Sequence, residues 1–195
     1  MKPIIVLKIG TSTLTAGTEN ISRGKIEDIS RQILELKKEY SVILVSSGAI
    51  ATARQFIKLN NEKKIIKNKS ALSAIGQPKL MQIYIEVFND FGLNAAQCLL
   101  THYDLKGNDS RVNTKETILE LLKHDYIPIV NENDTVAVEE IILGDNDKLS
   151  AMVAELVGAS KLVIASDIDG IFNGNPNLNP NAKLIEEVKS IDEIK

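Results

Sequence analysis

Two periods of apolar residues alternate along this chain. Short, near-continuous runs, Ile4 to Ile9, Val42 to Val45, Leu93 to Leu100, Ile127 to Val130 and Lys161 to Ala165, are separated by stretches in which apolar residues recur at three- and four-residue steps. The runs predict strands buried on both faces, and the steps predict amphipathic helices. Between the first two runs, Ile26, Ile29, Ile33, Leu36 and Tyr40 share one face of a helix over Ser22 to Tyr40, which makes a βαβ unit. Leu80, Ile83, Tyr84, Val87, Phe88 and Phe91 predict a second helix, with Pro78 near its start and Gly92 at its end. Ser110 to Asp125 reads as a third, and Leu149 to Val157, closed by Gly158, as a fourth. Strands of this kind alternating with helices predict an α/β fold: a mostly parallel central sheet sandwiched between helices in three layers, α/β/α.

In such sheets ligands gather outside the carboxyl ends of the strands. The first two strands run there into loops of small residues, Ile9-Gly-Thr-Ser-Thr13 and Ser46-Ser-Gly-Ala-Ile50, the first preceded by Lys8. Exposed backbone N–H groups, a helix start and one ammonium suit a chain of phosphates, so the pattern points to phosphoryl transfer. Three further clusters fall at the same edge: Val130-Asn-Glu-Asn-Asp-Thr135, Gly144-Asp-Asn-Asp-Lys-Leu-Ser150 and Ala165-Ser-Asp-Ile-Asp-Gly170. Taken singly, each reads as ordinary capping and turn chemistry. Their convergence on one sheet edge favours a site.

Composition narrows the partner. With 195 residues, 44% of them apolar, the chain supports one well-buried core, and a single domain over 1–195 is expected. A net charge of −3 argues against a general nucleic-acid or membrane-surface binder and leaves a small molecule. The five lysines between Lys58 and Lys69, facing the single acid Glu62, read as a solvated stretch without interleaved aromatics. Thr135 to Leu143 reads as a hairpin over the site, and Asn173 to Pro180 as a turn-rich surface segment. Cys98 is the sole cysteine and lies in an apolar run, which fits a core position in a reducing compartment. No leader or membrane-length apolar run is visible, so a cytoplasmic location is expected.

Familiar phosphate motifs are missing: the chain has no G-x-x-x-x-G-K-[ST], no G-x-G-x-x-G after a strand and no protein-kinase H-R-D or D-F-G set. His102 and His124 have no partners at metal-ligand spacing, and Asp145-Asn-Asp147 lacks the calcium-loop pattern, so no protein-held metal site is expected. Mg²⁺ carried in by a nucleotide remains compatible.

Lys8-Ile-Gly-Thr-Ser12, Val45-Ser-Ser-Gly-Ala-Ile50, Val130-Asn-Glu-Asn-Asp-Thr-Val-Ala137 and Gly144-Asp-Asn-Asp-Lys-Leu-Ser-Ala151 together resemble the amino acid kinase family, and within it the glutamate 5-kinase branch. The resemblance spans nearly the whole chain in the same order, and the Asn-Glu-Asn-Asp and Gly-Asp-Asn-Asp pair is its selective part. It implies transfer of the γ-phosphoryl group of ATP, with Mg²⁺, to the side-chain carboxylate of L-glutamate, giving glutamyl 5-phosphate, the first step toward proline. A carboxylate is already ionised at neutral pH, so such chemistry needs alignment and charge stabilisation and no general base.

By the same resemblance, Lys8 matches the phosphate-contacting catalytic lysine, with Gly10 supplying amides beside it. Asp147 matches the acid that orients catalytic lysines. Ser47, Asp134 and Asn146 match glutamate-binding positions, and Ser166 and Asp167 match the nucleotide side. Relatives suggest a homo-oligomer, a dimer or larger, and raise proline as a feedback inhibitor. Relatives also continue into a Gly-Thr-Gly-Gly-Met loop and a second catalytic lysine, which nothing in Ala182 to Lys195 matches; the kinase domain is therefore expected to be incomplete at its C-terminal side, without the PUA domain some relatives carry. Ser46 and Ser166 stand where threonine is common, and both keep the hydroxyl. Two readings compete with glutamate phosphorylation: another family member acting on acetylglutamate, aspartate or UMP, and an amino-acid sensor without turnover.

Overall fold

A computed structural model describes residues 2–57, 65–137, 146–166, 168–176, 178–179 and 181–190. By contacts the chain divides into two compact units, Met1–Ala165 and Ser166–Lys195.

The first unit is built on five strands: β1 (Ile4–Ile9), β2 (Ser41–Ser46), β3 (Asn94–Leu100), β4 (Tyr126–Glu132) and β5 (Lys161–Ala165). Their spatial order is β3-β4-β2-β1-β5, and every neighbouring pair is parallel. All five carboxyl ends therefore lie along one edge. After β4 the chain crosses from one side of β1 to the other to form β5, which puts the end of β1 at the reversal of strand order where such sheets open a crevice.

Helices cover both faces: α1 (Thr11–Thr15), α2 (Arg23–Leu36), α3 (Ala49–Phe56), α4 (Ile65–Asp90), α5 (His102–Lys106), α6 (Asn108–Lys123) and α7 (Asn146–Val157). Successive strand residues point to opposite faces, and the core divides accordingly. Ile5, Leu7, Ile9, Val42, Leu44, Ile127 and Ile129 pack with Leu14 of α1, Ile26 and Ile33 of α2, and Leu80, Tyr84 and Phe88 of α4. Ile4, Val6, Ile43, Val45 and Val130 pack with Leu105 of α5, Ile118 and Leu122 of α6, and Leu149, Val153 and Leu156 of α7. The three-layer α/β/α expectation holds. The two edge strands depart from burial on both faces: in β3 only Leu100 is buried, and in β5 Val163 and Ile164 are exposed.

Several element boundaries depart from the sequence reading: α2 ends at Leu36 and not at Tyr40, α6 runs Asn108–Lys123 in place of Ser110 to Asp125, and two further differences bear on the site. Pro78 lies inside α4 and not near its start. A proline in a helix removes one hydrogen bond, at a cost of about 3 kcal/mol, and here buried residues on both sides, Leu72, Ser73 and Gln77 before it and Leu80 and Met81 after it, keep the helix running. Strand β4 also extends beyond Val130 to include Asn131 and Glu132, so those two polar residues occupy ladder positions with defined faces. Most of Lys58 to Lys69, and the Thr135 to Leu143 hairpin beyond Ala137, lie outside the described residues.

In the second unit a short antiparallel pair, β6 (Ile171–Phe172) with β7 (Leu184–Ile185), brackets turns over the asparagine-rich segment. The Asn173 N–H donates to the Lys183 carbonyl at 3.0 Å, closing that loop.

Candidate active site

The alternation of strand faces decides what each polar residue at the carboxyl edge can reach. Lys8 shares parity with Ile4 and Val6, so it projects to the face covered by α7. Asp147 lies in the first turn of that helix, and its Oδ1 sits 2.6 Å from Lys8 Nζ. The lysine is 8% exposed as a residue and the Asp147 side chain is 44% exposed, but the Oδ1 that meets the ammonium is itself buried. A Cβ at Gly10 would come 3.4 Å from Lys8 Nζ, which places the loop after β1 directly against the ammonium.

Ser47, two residues beyond Val45, follows the same face. Its Oγ accepts from Asn146 Nδ2 at 2.7 Å, and the second hydrogen of that amide goes to Asn131 Oδ1 at 3.0 Å. Asn131 Oδ1 also accepts from the Glu132 N–H at 2.9 Å, and Asn131 Nδ2 donates to Gln77 Oε1 at 2.9 Å. One chain of hydrogen bonds thus ties β2, α7, β4 and α4 together. Such linked amides hold one another in fixed orientation.

Helix α4 presents a polar stripe to this edge at helical spacing. Ser73 Oγ donates to Asp134 Oδ2 at 2.8 Å, Gln77 holds Asn131, and the Tyr84 hydroxyl pairs with Ser46 Oγ at 2.8 Å. Burial pushes the Tyr84 phenol far above its ordinary range, only partly opposed by the Ser46 hydrogen bond, so it is a neutral structural partner. Close contact between α3 and α4 supports the arrangement: a Cβ at Gly76 would lie 1.8 Å from the Ala49 carbonyl oxygen. At Gly48, which caps α3 with φ +110°, a side chain would meet Leu14 and Ile21 at 3.2 Å, so the turn after Ser47 requires glycine.

Of the residues expected from sequence, Lys8, Gly10, Ser47, Asn146 and Asp147 come together, and Asp134 joins them through Ser73 and α4. Ser166 belongs to the second unit, where its Oγ accepts from the Ile168 N–H at 3.3 Å, and Asp167 lies outside the described residues. Ser73 and Gln77 were not named by the sequence reading, which took Tyr84 as an apolar helix position and Asn131 only as part of its motif. The available signal was two polar residues, Ser73 and Gln77, one turn apart in a segment otherwise supplying core residues. Cys98 is not part of the site; burial pushes its thiol up to about 11, which suits a packed, protonated side chain.

Comparison with known proteins adds three observations. The sequence model of the amino acid kinase family matches residues 3–195, across both units. The chain is 45% identical over 190 residues to a glutamate 5-kinase of Vibrio campbellii, and 46% identical over 190 residues to one of Dictyoglomus thermophilum, covering 97% of this chain in each case. It spans about half the length of these relatives, 50% and 51%. Among solved structures, an isopentenyl phosphate kinase superposes with a TM-score of 0.67 at 20% identity, over 97% of this chain and 82% of the other. The UMP kinase of Ureaplasma parvum gives 0.58 at 20% identity, over 96% and 77%. At that identity the structural likeness concerns the fold.

Proposed function

Because this chain belongs to the amino acid kinase family, we propose that it phosphorylates the side-chain carboxylate of L-glutamate at the expense of ATP, forming glutamyl 5-phosphate and ADP. The observation that carries this reading is the Lys8–Asp147 pair standing beside the Ser47–Asn146–Asn131 chain at one sheet edge. The glutamate 5-kinase relatives favour glutamate among the family's acceptors.

A side-chain carboxylate oxygen of glutamate attacks the γ-phosphorus, the bond from that phosphorus to the β–γ bridging oxygen breaks, and ADP leaves with the electron pair. The residues of this chain align the partners and meet the charge. Lys8 lies where its ammonium can stabilise the non-bridging oxygens of the transferring group, aided by backbone amides around Gly10 and Gly48. Asp147 fixes the direction of the Lys8 side chain. Asp134 pairs with the substrate's α-ammonium, while Ser47 and Asn146 hydrogen-bond its carboxylates. Ser166 and Asp167 serve the nucleotide side. Mg²⁺ would be held chiefly through the nucleotide's own phosphates, where it would neutralise part of their charge.

Further parts of the reading are a homo-oligomer, proline as a feedback inhibitor competing for the glutamate pocket, and action in the cytoplasm. Among the described residues no helix is long and apolar enough to cross a membrane.

Melting curves with L-glutamate, L-aspartate, N-acetylglutamate and UMP, each with and without Mg-ATP, together with an assay for glutamate-dependent ADP release, test this reading. A ligand at ~100 times its Kd raises stability by about 2.7 kcal/mol, a readily visible shift. The expected result is a shift with L-glutamate alone among the acceptors and ADP release that depends on it. A shift with another acceptor overturns the substrate, and glutamate binding without ADP release identifies a sensor.

A further inference from the structure

One buried donor at the site is left over. Gln77 is 6% exposed, and among the described residues its Nε2 makes no hydrogen bond, although its Oε1 accepts from Asn131 at 2.9 Å. The two amides cannot be exchanged end for end. The Glu132 N–H can only donate, and it donates to Asn131 at 2.9 Å, so the atom it meets is Oδ1. The other atom of Asn131 is therefore nitrogen, and its partner on Gln77 is oxygen. Both hydrogens of Gln77 Nε2 then lack an acceptor, on a helix whose neighbouring polar groups, Ser73 and Tyr84, are satisfied by Asp134 and Ser46. A buried unsatisfied donor costs stability unless something fills it.

We propose that Gln77 Nε2 is a direct ligand of the acceptor substrate's α-carboxylate and a determinant of specificity for it, an inference that rests on the glutamate reading above.

Placement supports that carboxylate over the reacting one. The transferring group belongs beside Lys8 on β1, whereas Gln77 holds Asn131 at the end of β4. Strands β1 and β4 are separated by β2, two strand spacings or ~10 Å, which leaves room for a five-carbon dicarboxylate with a hydrogen-bonding group at either end. Ser73, one helical turn before Gln77, orients Asp134, the proposed partner of the α-ammonium. An amine site and a carboxylate donor one turn apart on one helix match the two substituents of a single α-carbon. Gln77 Nε2 donates only, so it donates to a carboxylate oxygen and rejects a donor group in that place.

Binding of L-glutamate and L-glutamate α-amide to the wild-type chain and to Gln77→Leu and Gln77→Glu, measured by calorimetry beside melts of each protein, tests the proposal. The expected result is a ~10- to 100-fold rise in the Kd for L-glutamate in Gln77→Leu. In Gln77→Glu, which keeps the oxygen facing Asn131, the preference between the two ligands reverses toward the α-amide, whose NH2 donates to the new carboxylate. If both variants fold and bind L-glutamate as the wild type does, Gln77 is not a ligand, and the glutamate reading survives. If both lose L-glutamate and Gln77→Glu gains no preference for the α-amide, the role is purely structural and the proposal fails. A wild-type chain that binds UMP or N-acetylglutamate in place of L-glutamate overturns the reading itself. Should Gln77→Leu fail to fold, the reversal in Gln77→Glu remains the deciding observation.

Discussion

Lys8 Nζ and Asp147 Oδ1 stand 2.6 Å apart, joining the middle of the sheet to the first turn of the helix that covers it. Removing an ammonium that serves the transition state costs roughly 10²- to 10³-fold in kcat. Lys8→Met is expected to show that loss with little change in the KM for glutamate. The same substitution takes away the partner of Asp147 Oδ1, a buried atom on a side chain that is otherwise partly exposed. Its melting temperature is expected to fall modestly. Parallel kinetics and melts of one variant check both halves, and a large fall in melting temperature with kcat unchanged makes the pair structural.

Asp134 is oriented by Ser73 across 61 residues of sequence. Asp134→Asn keeps the shape and removes the charge, so the Kd for L-glutamate is expected to rise by ~10- to 100-fold. Ser73→Ala leaves the charge in place but frees its rotamer, and a smaller rise, several-fold, is expected. Calorimetric titration of the two variants gives the ordering, and equal losses in both make Ser73 a ligand in its own right.

Gly76 shows how closely α3 and α4 approach. A methyl there would lie 1.8 Å from the Ala49 carbonyl oxygen, a backbone atom that cannot rotate away. Overpacking commonly costs 1–3 kcal/mol, and Gly76→Ala is expected to lose at least ~3 kcal/mol because a helix must move. Ala49 follows directly on the Ser47–Gly48 turn, so glutamate binding is expected to weaken with stability. Urea unfolding of Gly76→Ala, with an unchanged midpoint as the contrary result, checks the packing.

The sheet, its helices and the polar edge were legible because buried parallel strands and amphipathic helices leave different periods in the sequence. The pairings across that edge were not. A strand buried on both faces shows no alternation, so nothing in Ile4 to Ile9 says which helix Lys8 meets until α7 is assigned to the face shared with Ile4 and Val6. Ser73 and Gln77 escaped for a different reason. Reading Pro78 as a helix start excludes everything before it, whereas burial on both sides of the proline carries α4 through it. Asn131 was quoted in its motif, but its amide became a structural hub only once β4 was seen to include it.

Cys98 lends itself to a pH experiment with a definite sign. Burial raises its thiol from 9.0 to about 11, so the folded chain holds this proton more tightly than the unfolded chain does. Its contribution to stability is therefore fully present below about pH 9 and is lost as the pH rises from there through about 11, because only the unfolded state gains by ionising. Lysines and tyrosines titrate in the same window, so the informative quantity is the difference between wild type and Cys98→Ala. That difference in unfolding free energy is expected to be constant between pH 6 and 8 and to shift in favour of Cys98→Ala by pH 10.5. Thiol-reactive dyes should label the folded protein slowly at neutral pH for the same reason. Rapid labelling of the folded protein, or a pH-independent difference between the two proteins, excludes the partly buried, protonated thiol.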